Sequence, residues 1–204
     1  MGFDPDTYAW DAWRPEDAYR RLANVAAPWC VAAGWAVDLF LGGGHREHED
    51  LEIAAPGARF TEVVAALPEL EFFAIVDRQA RSIDEGEAVL RPPSHQTWGL
   101  DRAAGVWRID IFREPSDGDT WLSRRDESIQ LPYDQLVERT AAGIPYVRPE
   151  IALLFKAKHA RPKDDADLAA ALAVLESRRR EYLAELIERV HPGHRWLESI
   201  RART

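Results

Sequence analysis

Residues 34–53 read GWAVDLFLGGGHREHEDLEI, and the reading of this stretch decides the fold. Just upstream, Trp29 to Ala33 is a short apolar run that reads as a buried strand, broken by Gly34. Trp35 to Leu41 resumes a helical pattern, and Gly42 to Gly44 follow it as a helix C-cap and turn. A second strand is expected over His48 to Ala54, closed by Pro56. Residues two apart on a strand share a face, so Asp50 and Glu52 project together while Leu51 and Ile53 turn to the core. Two carboxylates on one partly buried face repel each other and lose hydration, which calls for a compensating charge. A hard divalent cation supplies it, and Mg²⁺ takes one or two carboxylates together with substrate phosphates. Acid–apolar–acid also marks the solvent face of many amphipathic strands. The metal reading gains from the glycine turn upstream and from a third acid further on.

That third acid is Asp110. Thr97 to Arg102 and Val106 to Arg113 read as antiparallel strands around Ala103 to Gly105. On the second of them Val106, Arg108, Asp110 and Phe112 share one face, with Trp107, Ile109 and Ile111 on the other. If this strand lies beside the Asp50 strand, three acids converge, and Asp110 can hold a second ion or take a proton from an attacking hydroxyl. Outward from this centre, helices are expected over Arg14 to Ala27 and Ala58 to Leu67, and strands over Leu70 to Asp77 and Ala88 to Arg91. Between Thr120 and Arg148 lies a connection with short extended pieces, including Ile144 to Arg148. From Pro149 the pattern is helix after helix: to His159, then Asp164 to Leu175, Arg178 to Val190, and a short one near Trp196. An α/β unit, 1–145, followed by a helical unit, 146–204, is the expected organisation.

With 204 residues, 46% hydrophobic and 30% charged, the chain can bury a real core without staples. A net charge of -9 leaves no electrostatic footprint for duplex nucleic acid. The single Cys30, among apolar neighbours, reads as a small buried hydrophobe in a reducing compartment. The acidic, aromatic start and the lack of any membrane-length apolar segment point to a cytoplasmic protein. The six histidines have no zinc spacing.

The sequence also resembles a known family. Gly34 to Phe40, then Arg46, Glu47, His48, Glu49, Asp50, Leu51, Glu52 and Ile53, are similar to the signature of polymerase-β-like nucleotidyltransferases. The branch resembled is that of aminoglycoside 2″-adenylyltransferases and lincosamide nucleotidyltransferases. The resemblance extends over Arg108 to Phe112, Pro149 to Lys158, Arg161, Lys163, Asp164, Asp167 and Pro192 to Trp196. It implies an α/β (α+β) nucleotidyltransferase domain with a mixed sheet, followed by a C-terminal helical domain. It also implies transfer of a nucleoside monophosphate, AMP from ATP, to a hydroxyl of a small polar acceptor, aminoglycoside-like or otherwise cationic, with Mg²⁺ (two ions) and release of pyrophosphate.

Carried over by residue, Asp50 and Glu52 become metal ligands and Asp110 the third ligand or general base. Gly34 lets backbone approach the triphosphate, with the N–H groups of Trp35 and Ala36 nearby. Arg46 neutralises phosphate or fixes its loop. Lys156 and Lys158 reach for the triphosphate, but two positions apart on a helix they diverge by roughly 200°, and Lys158 is favoured. His48 is expected to bond the loop or a carboxylate, Asp38 to be structural, and Asp164, Asp165 and Asp167 to form a solvated helix N-terminus rather than an acidic wall. Two departures stand out: Ala33 replaces the first glycine of the family pair, and Glu52 replaces the commoner Asp. The alternatives are a nucleotide-binding domain without turnover and a toxin-like enzyme acting on RNA or protein; a homodimer stays open.

Overall fold

The computed structural model describes residues 2–90 and 94–202. The first part of the chain forms β1 (Ala9–Trp10), α1 (Pro15–Arg21), β2 (Cys30–Val31), α2 (Ala33–Leu41), β3 (Glu52–Pro56) and α3 (Phe60–Ala65). It continues through β4 (Glu71–Val76), β5 (Gln79–Ser82), β6 (Gln96–Asp101) and β7 (Val106–Glu114). Short strands β8 (Ser116–Asp117), β9 (Thr120–Leu122) and β10 (Gln130–Pro132) make a small sheet of their own, in the order β10-β9-β8. Then come α4 (Tyr133–Leu136), β11 (Val137–Arg139), β12 (Pro145–Val147) and the helices α5 (Pro149–Ala157), α6 (Pro162–Val174), α7 (Ser177–Val190) and α8 (Trp196–Arg201).

The main sheet runs β11-β12-β2-β3-β7-β6-β4-β5 and is mixed, as expected: β3 and β7 are parallel, β2 and β3 antiparallel. The period-2 pattern of β7 is the reason it sits centrally. Trp107, Ile109 and Ile111 are wholly buried on one side, and burying each such side chain stabilises the fold by about 1.5–3 kcal/mol. One edge of β7 pairs with β6; the other is shared end to end by β1 at Val106 and Trp107 and by β3 from Asp110 to Glu114. The helices α5, α6 and α7 supply Leu153, Leu154, Leu168, Leu172, Leu183 and Ile187 to the same core as Val31, Ile53 and Ile111.

Several local expectations change. The first helix stops at Arg21, capped at Leu22, instead of running to Ala27. β3 begins at Glu52, so Asp50 stands just ahead of the strand rather than on it. Gly34 lies in the first turn of α2 and does not break anything; the sharp turn falls at Ala33, whose φ is +50°. In place of a strand over 88–91, Glu87–Leu90 is a 3₁₀ turn, and Arg91 is outside the described residues. The sequence foresees neither β1, nor β8 within the expected loop Glu114 to Asp119, nor β5, which is joined to β4 through Asp77 and Arg78, both at positive φ (50° and 61°). Two left-handed residues are what a tight hairpin requires, but the usual Asn-Gly signal is missing here. The connection after Thr120 folds into β9 to β12 and α4. No helix among the described residues is long and apolar enough to cross a membrane.

Ala33 holds a conformation that costs an L-residue about 1–2 kcal/mol and costs glycine nothing. Ala33→Gly is therefore expected to raise stability by roughly 0.5–1 kcal/mol after the extra chain entropy of glycine, a melting-temperature gain of about 2 °C by calorimetry.

Candidate active site

The face of the sheet opposite the Ile53–Ile111 row carries the acids. In register, Glu52 of β3 lies beside Asp110 of β7, and Trp98 of β6 faces Asp110 from the other side. Asp50 is held next to them through its backbone, whose carbonyl accepts a 3.0 Å bond from the Trp35 indole Nε1. Burial, reinforced by the charges of Asp50 and Asp110, pushes the Glu52 carboxyl up to about 8. Burial also pushes Asp110 up to about 7, against the bond from Gln96 and with the charge of Asp50 adding to the rise. Gln96 Nε2 donates to Asp110 Oδ2 at 2.7 Å and the Trp98 indole also lowers this carboxyl, while Asp110 Oδ1 has no hydrogen bond of good geometry among the described residues.

Of the three acids expected to converge, the register pairs Glu52 with Asp110, and Asp50 precedes the strand. Their mutual repulsion and the orphaned oxygen fit a cation. Among the described residues, however, no three His, Cys, Asp or Glu side chains already stand as a closed metal cage. A cation here needs oxygens from elsewhere, as Mg²⁺ sites on phosphate substrates commonly do.

The N-terminus of α2 opens beside the acids. Its cap is Ala32, whose methyl accepts nothing, so the first-turn N–H groups have no partner from their own helix. Ala32, Ala33 and Gly34 line the same cavity as Asp50 and Glu52. The smallness of Gly34 has a particular cause: a Cβ there would collide with the Arg46 guanidinium and the His48 ring. Those side chains cover Gly34. The position is dictated by loop packing, not by a phosphate pressed onto its Cα.

The loop is fastened by buried acids. Arg46 donates to both oxygens of Asp167, from Nε at 2.9 Å and from Nη2 at 3.2 Å, and His45 Nε2 lies 2.8 Å from the same carboxylate. His48 stacks on Trp35 at 4.3 Å and reaches Asp38 Oδ2 at 2.9 Å; burial holds its imidazole below the usual range. The structural roles expected for Asp38 and His48 match this geometry.

Two other expectations do not match. Asp164 and Asp167 are fully buried instead of forming a solvated helix end, and only Asp165 is paired near the surface, with Arg195 and the Trp196 Nε1. Lys156 also changes role: its ammonium sits 2.8 Å from Asp167 and 3.3 Å from Asp164, yet the residue still lines the cavity. Lys158, favoured from the sequence, is exposed at the end of α5 and does not line the cavity; its charge is felt by His191. The preference between the two lysines reverses.

The cavity encloses about 630 Å³. Arg161 and Lys163 from the start of α6 also line it, and the Arg161 guanidinium is raised mainly by its bond to Asp164, with smaller contributions from Glu52 and Asp50. At the deep end stand Phe112, Trp121, Phe155, Arg124, Arg125 and the buried Glu114. Gln96, Arg124 and Arg125 had no sequence signal, since their role comes from cross-strand register and an aperiodic loop, and Phe155 of α5 lay within the family resemblance with no role attached. Arg161 and Lys163 belonged to the family resemblance, but no role was attached to them.

A profile of the aminoglycoside-2''-adenylyltransferase family matches residues 16–86, which contain the Gly34–Ile53 stretch. No curated protein matches the chain. Among solved structures, the solution structure of the antibiotic-resistance factor ANT(2'')-Ia is similar over 92% of this chain and 89% of its own, at 14% identity and a TM-score of 0.53. The crystal structure of ANT(2")-Ia in complex with adenylyl-2"-tobramycin is similar over 85% and 95%, at 13% identity and 0.55. The lincosamide antibiotic adenylyltransferase LnuA, lincomycin-bound, is similar over 78% and 93%, at 15% identity and 0.50. The resemblance read from the sequence is thus borne out, and the fold, a mixed sheet with C-terminal helices, is the one these nucleotidyltransferases share.

Removing Asp167 leaves buried cations without their acid, so Asp167→Ala is expected to lower stability by about 3 kcal/mol, read as a lower urea midpoint at unchanged slope. For Asp110 the sign is the opposite of a salt-bridged acid. Its folded pKa lies above the ordinary value near 3.8, so the folded state holds the extra proton and stability falls as pH rises from about 4 through 7. Asp110→Asn should therefore melt higher than the parent at pH 8 and at the same temperature near pH 4, when both are measured without divalent metal.

Proposed function

We propose that this chain is a nucleotidyltransferase that moves AMP from ATP onto a hydroxyl of a small polar acceptor of the antibiotic kind, releasing pyrophosphate. The observation that carries the reading is the meeting of Asp50, Glu52 and Asp110 on one sheet face beside the uncapped N-terminus of α2. The structural neighbours support it: one was solved with adenylyl-2"-tobramycin and another with lincomycin. In this reading residues 1–145 carry the carboxylates and residues 146–204 close the cleft from the other side.

Asp50, Glu52 and Asp110 would hold Mg²⁺, as two ions, whose chemistry is to neutralise the triphosphate and polarise its phosphoryl oxygens. The chain's own groups do the rest. The first-turn N–H groups of α2 and the cations Arg161 and Lys163 receive the terminal phosphates at the mouth. Lys156 adds positive charge from below while its two aspartates keep it fixed. Arg46 acts through the loop that it ties to α6. Asp110 Oδ1 accepts the proton of the acceptor hydroxyl as that oxygen attacks the α-phosphorus. Gln96 keeps the other oxygen engaged by donating to it.

The test is pyrophosphate release from ATP and Mg²⁺ over a panel of aminoglycosides and lincosamides. Release should depend on an acceptor and should drop at least about a hundredfold in Asp50→Asn, several kcal/mol of lost charge stabilisation. Metal-dependent binding of ATP with no product from any acceptor would instead favour a domain that binds nucleotide without turnover.

A further inference from the structure

The cleft has two chemically different ends, and the strands say how they are ordered. β3 and β7 run parallel, so moving along both one passes Asp50, then the Glu52–Asp110 pair, then Ala54 and Phe112, and finally Glu114. The start of α2 lies on the Asp50 side, because Ala32 N donates to Glu52 O at 2.8 Å before the helix departs. Arg161, at the start of α6, lines the same cavity. Phosphoryl transfer places the entering and leaving oxygens roughly in line through phosphorus. With pyrophosphate leaving toward α2, the acceptor enters from the opposite end.

That end is apolar and cationic. Phe112, Trp121 and Phe155 form its walls, with the Arg124 guanidinium 5.6 Å from the Phe112 ring and 5.0 Å from that of Phe155. The acid at this end, Glu114, is already taken: Arg124 Nε donates to it at 3.0 Å and Trp121 Nε1 at 3.1 Å. Arg125 lies 5.3 Å over the Phe155 ring, and its Nε is buried without a hydrogen-bond partner among the described residues. The remaining acids that line the cavity are the exposed Glu47 and Glu49 near the mouth and the two of the metal cluster, Asp50 and Glu52. A molecule bearing several ammonium groups would meet two guanidiniums and no uncommitted carboxylate here. An oxygen of a carbonyl, ether or carboxylate would instead be matched by the guanidiniums that line this end, Arg124 and Arg125.

We propose that the acceptor is a hydroxylated molecule with an apolar ring and an uncharged or anionic oxygen function directed at Arg125, and that a polycation is excluded from this subsite. The inference rests on the nucleotidyltransferase reading and narrows its substrate class.

The protein loaded with Mg²⁺ and a non-hydrolysable ATP analogue is titrated with three probes of one shape: phenyl glucoside, phenyl glucuronide and phenyl glucosaminide. The glucuronide should bind about tenfold more tightly than the glucosaminide, the span of one charge-assisted hydrogen bond, with the glucoside between them. Arg125→Gln should bring the three within about twofold of one another, and Arg125→Glu should invert their order. Inversion is an outcome that misfolding cannot imitate. The inference is overturned if the glucosaminide binds best to the parent, if no probe binds at millimolar concentration, or if the order survives Arg125→Glu. It is equally overturned if Arg125→Gln weakens the ATP analogue instead, which would make this end the nucleobase site. Failure of the analogue to bind the parent with metal would be a different result, and would remove the nucleotidyltransferase reading beneath it.

Discussion

A fully buried carboxylate, Asp167, holds the cleft in shape. It lies on α6 and receives Arg46 and His45 from the loop before β3 and Lys156 from α5, so three segments distant in sequence meet on one charge. Each buried ion costs several kcal/mol in lost hydration, and only a full set of partners offsets that. Here the set is full: both oxygens of Asp167 are engaged, and Lys156 is shared with Asp164. The loop from Gly42 to Leu51 has no regular structure of its own, and it ends at Asp50. Without the anchor, Arg46 and His48 would not close over Gly34 and Asp50 would not stand at the edge of β3.

The acids of the site are the opposite case. Asp50, Glu52 and Asp110 share a face with no such set of cations; Glu52 and Asp110 are pushed up to about 8 and about 7, and one oxygen of Asp110 has no hydrogen bond of good geometry among the described residues. One cluster is neutralised by cations, whereas its neighbour is neutralised by protons that its raised carboxyls retain. Protons are released where a ligand of opposite charge arrives, so such a cluster is tolerable where a ligand can later take their place. The contrast separates structural acids from working ones, although both kinds are buried.

The centre of the fold was legible because its signals are local. Period-2 alternation put Asp110 opposite Trp107, Ile109 and Ile111, and acid–apolar–acid put Glu52 opposite Leu51 and Ile53. Parallel pairing of the two strands then brings the acids together. The C-terminal helices were legible for the same reason, each having its own apolar stripe and all but α7 a proline or acidic start. What was hidden depends on partners far along the chain. Asp164 and Asp167 looked like ordinary first-turn acids, since nothing near them announces an arginine 121 residues away. The β4–β5 hairpin was hidden because Asp77 and Arg78 adopt left-handed conformations without glycine. Arg124 and Arg125 sit in a loop with no periodicity, so only the structure shows them facing Phe155.

Net charge misleads about this cleft in an instructive way. The chain carries -9, which by itself favours a cationic partner. But charges on the surface act through water and ions that screen them beyond about 8 Å. A group inside the cavity instead feels the side chains that line it, in a medium where each counts for more. At the deep end those are Arg124, already matched by Glu114, and Arg125, whose Nε has no match. Acidity of the whole molecule can therefore coexist with a subsite that rejects cations. The acidic surface governs encounter and solubility, and the choice of acceptor falls to the few charges within a hydrogen bond of where it sits.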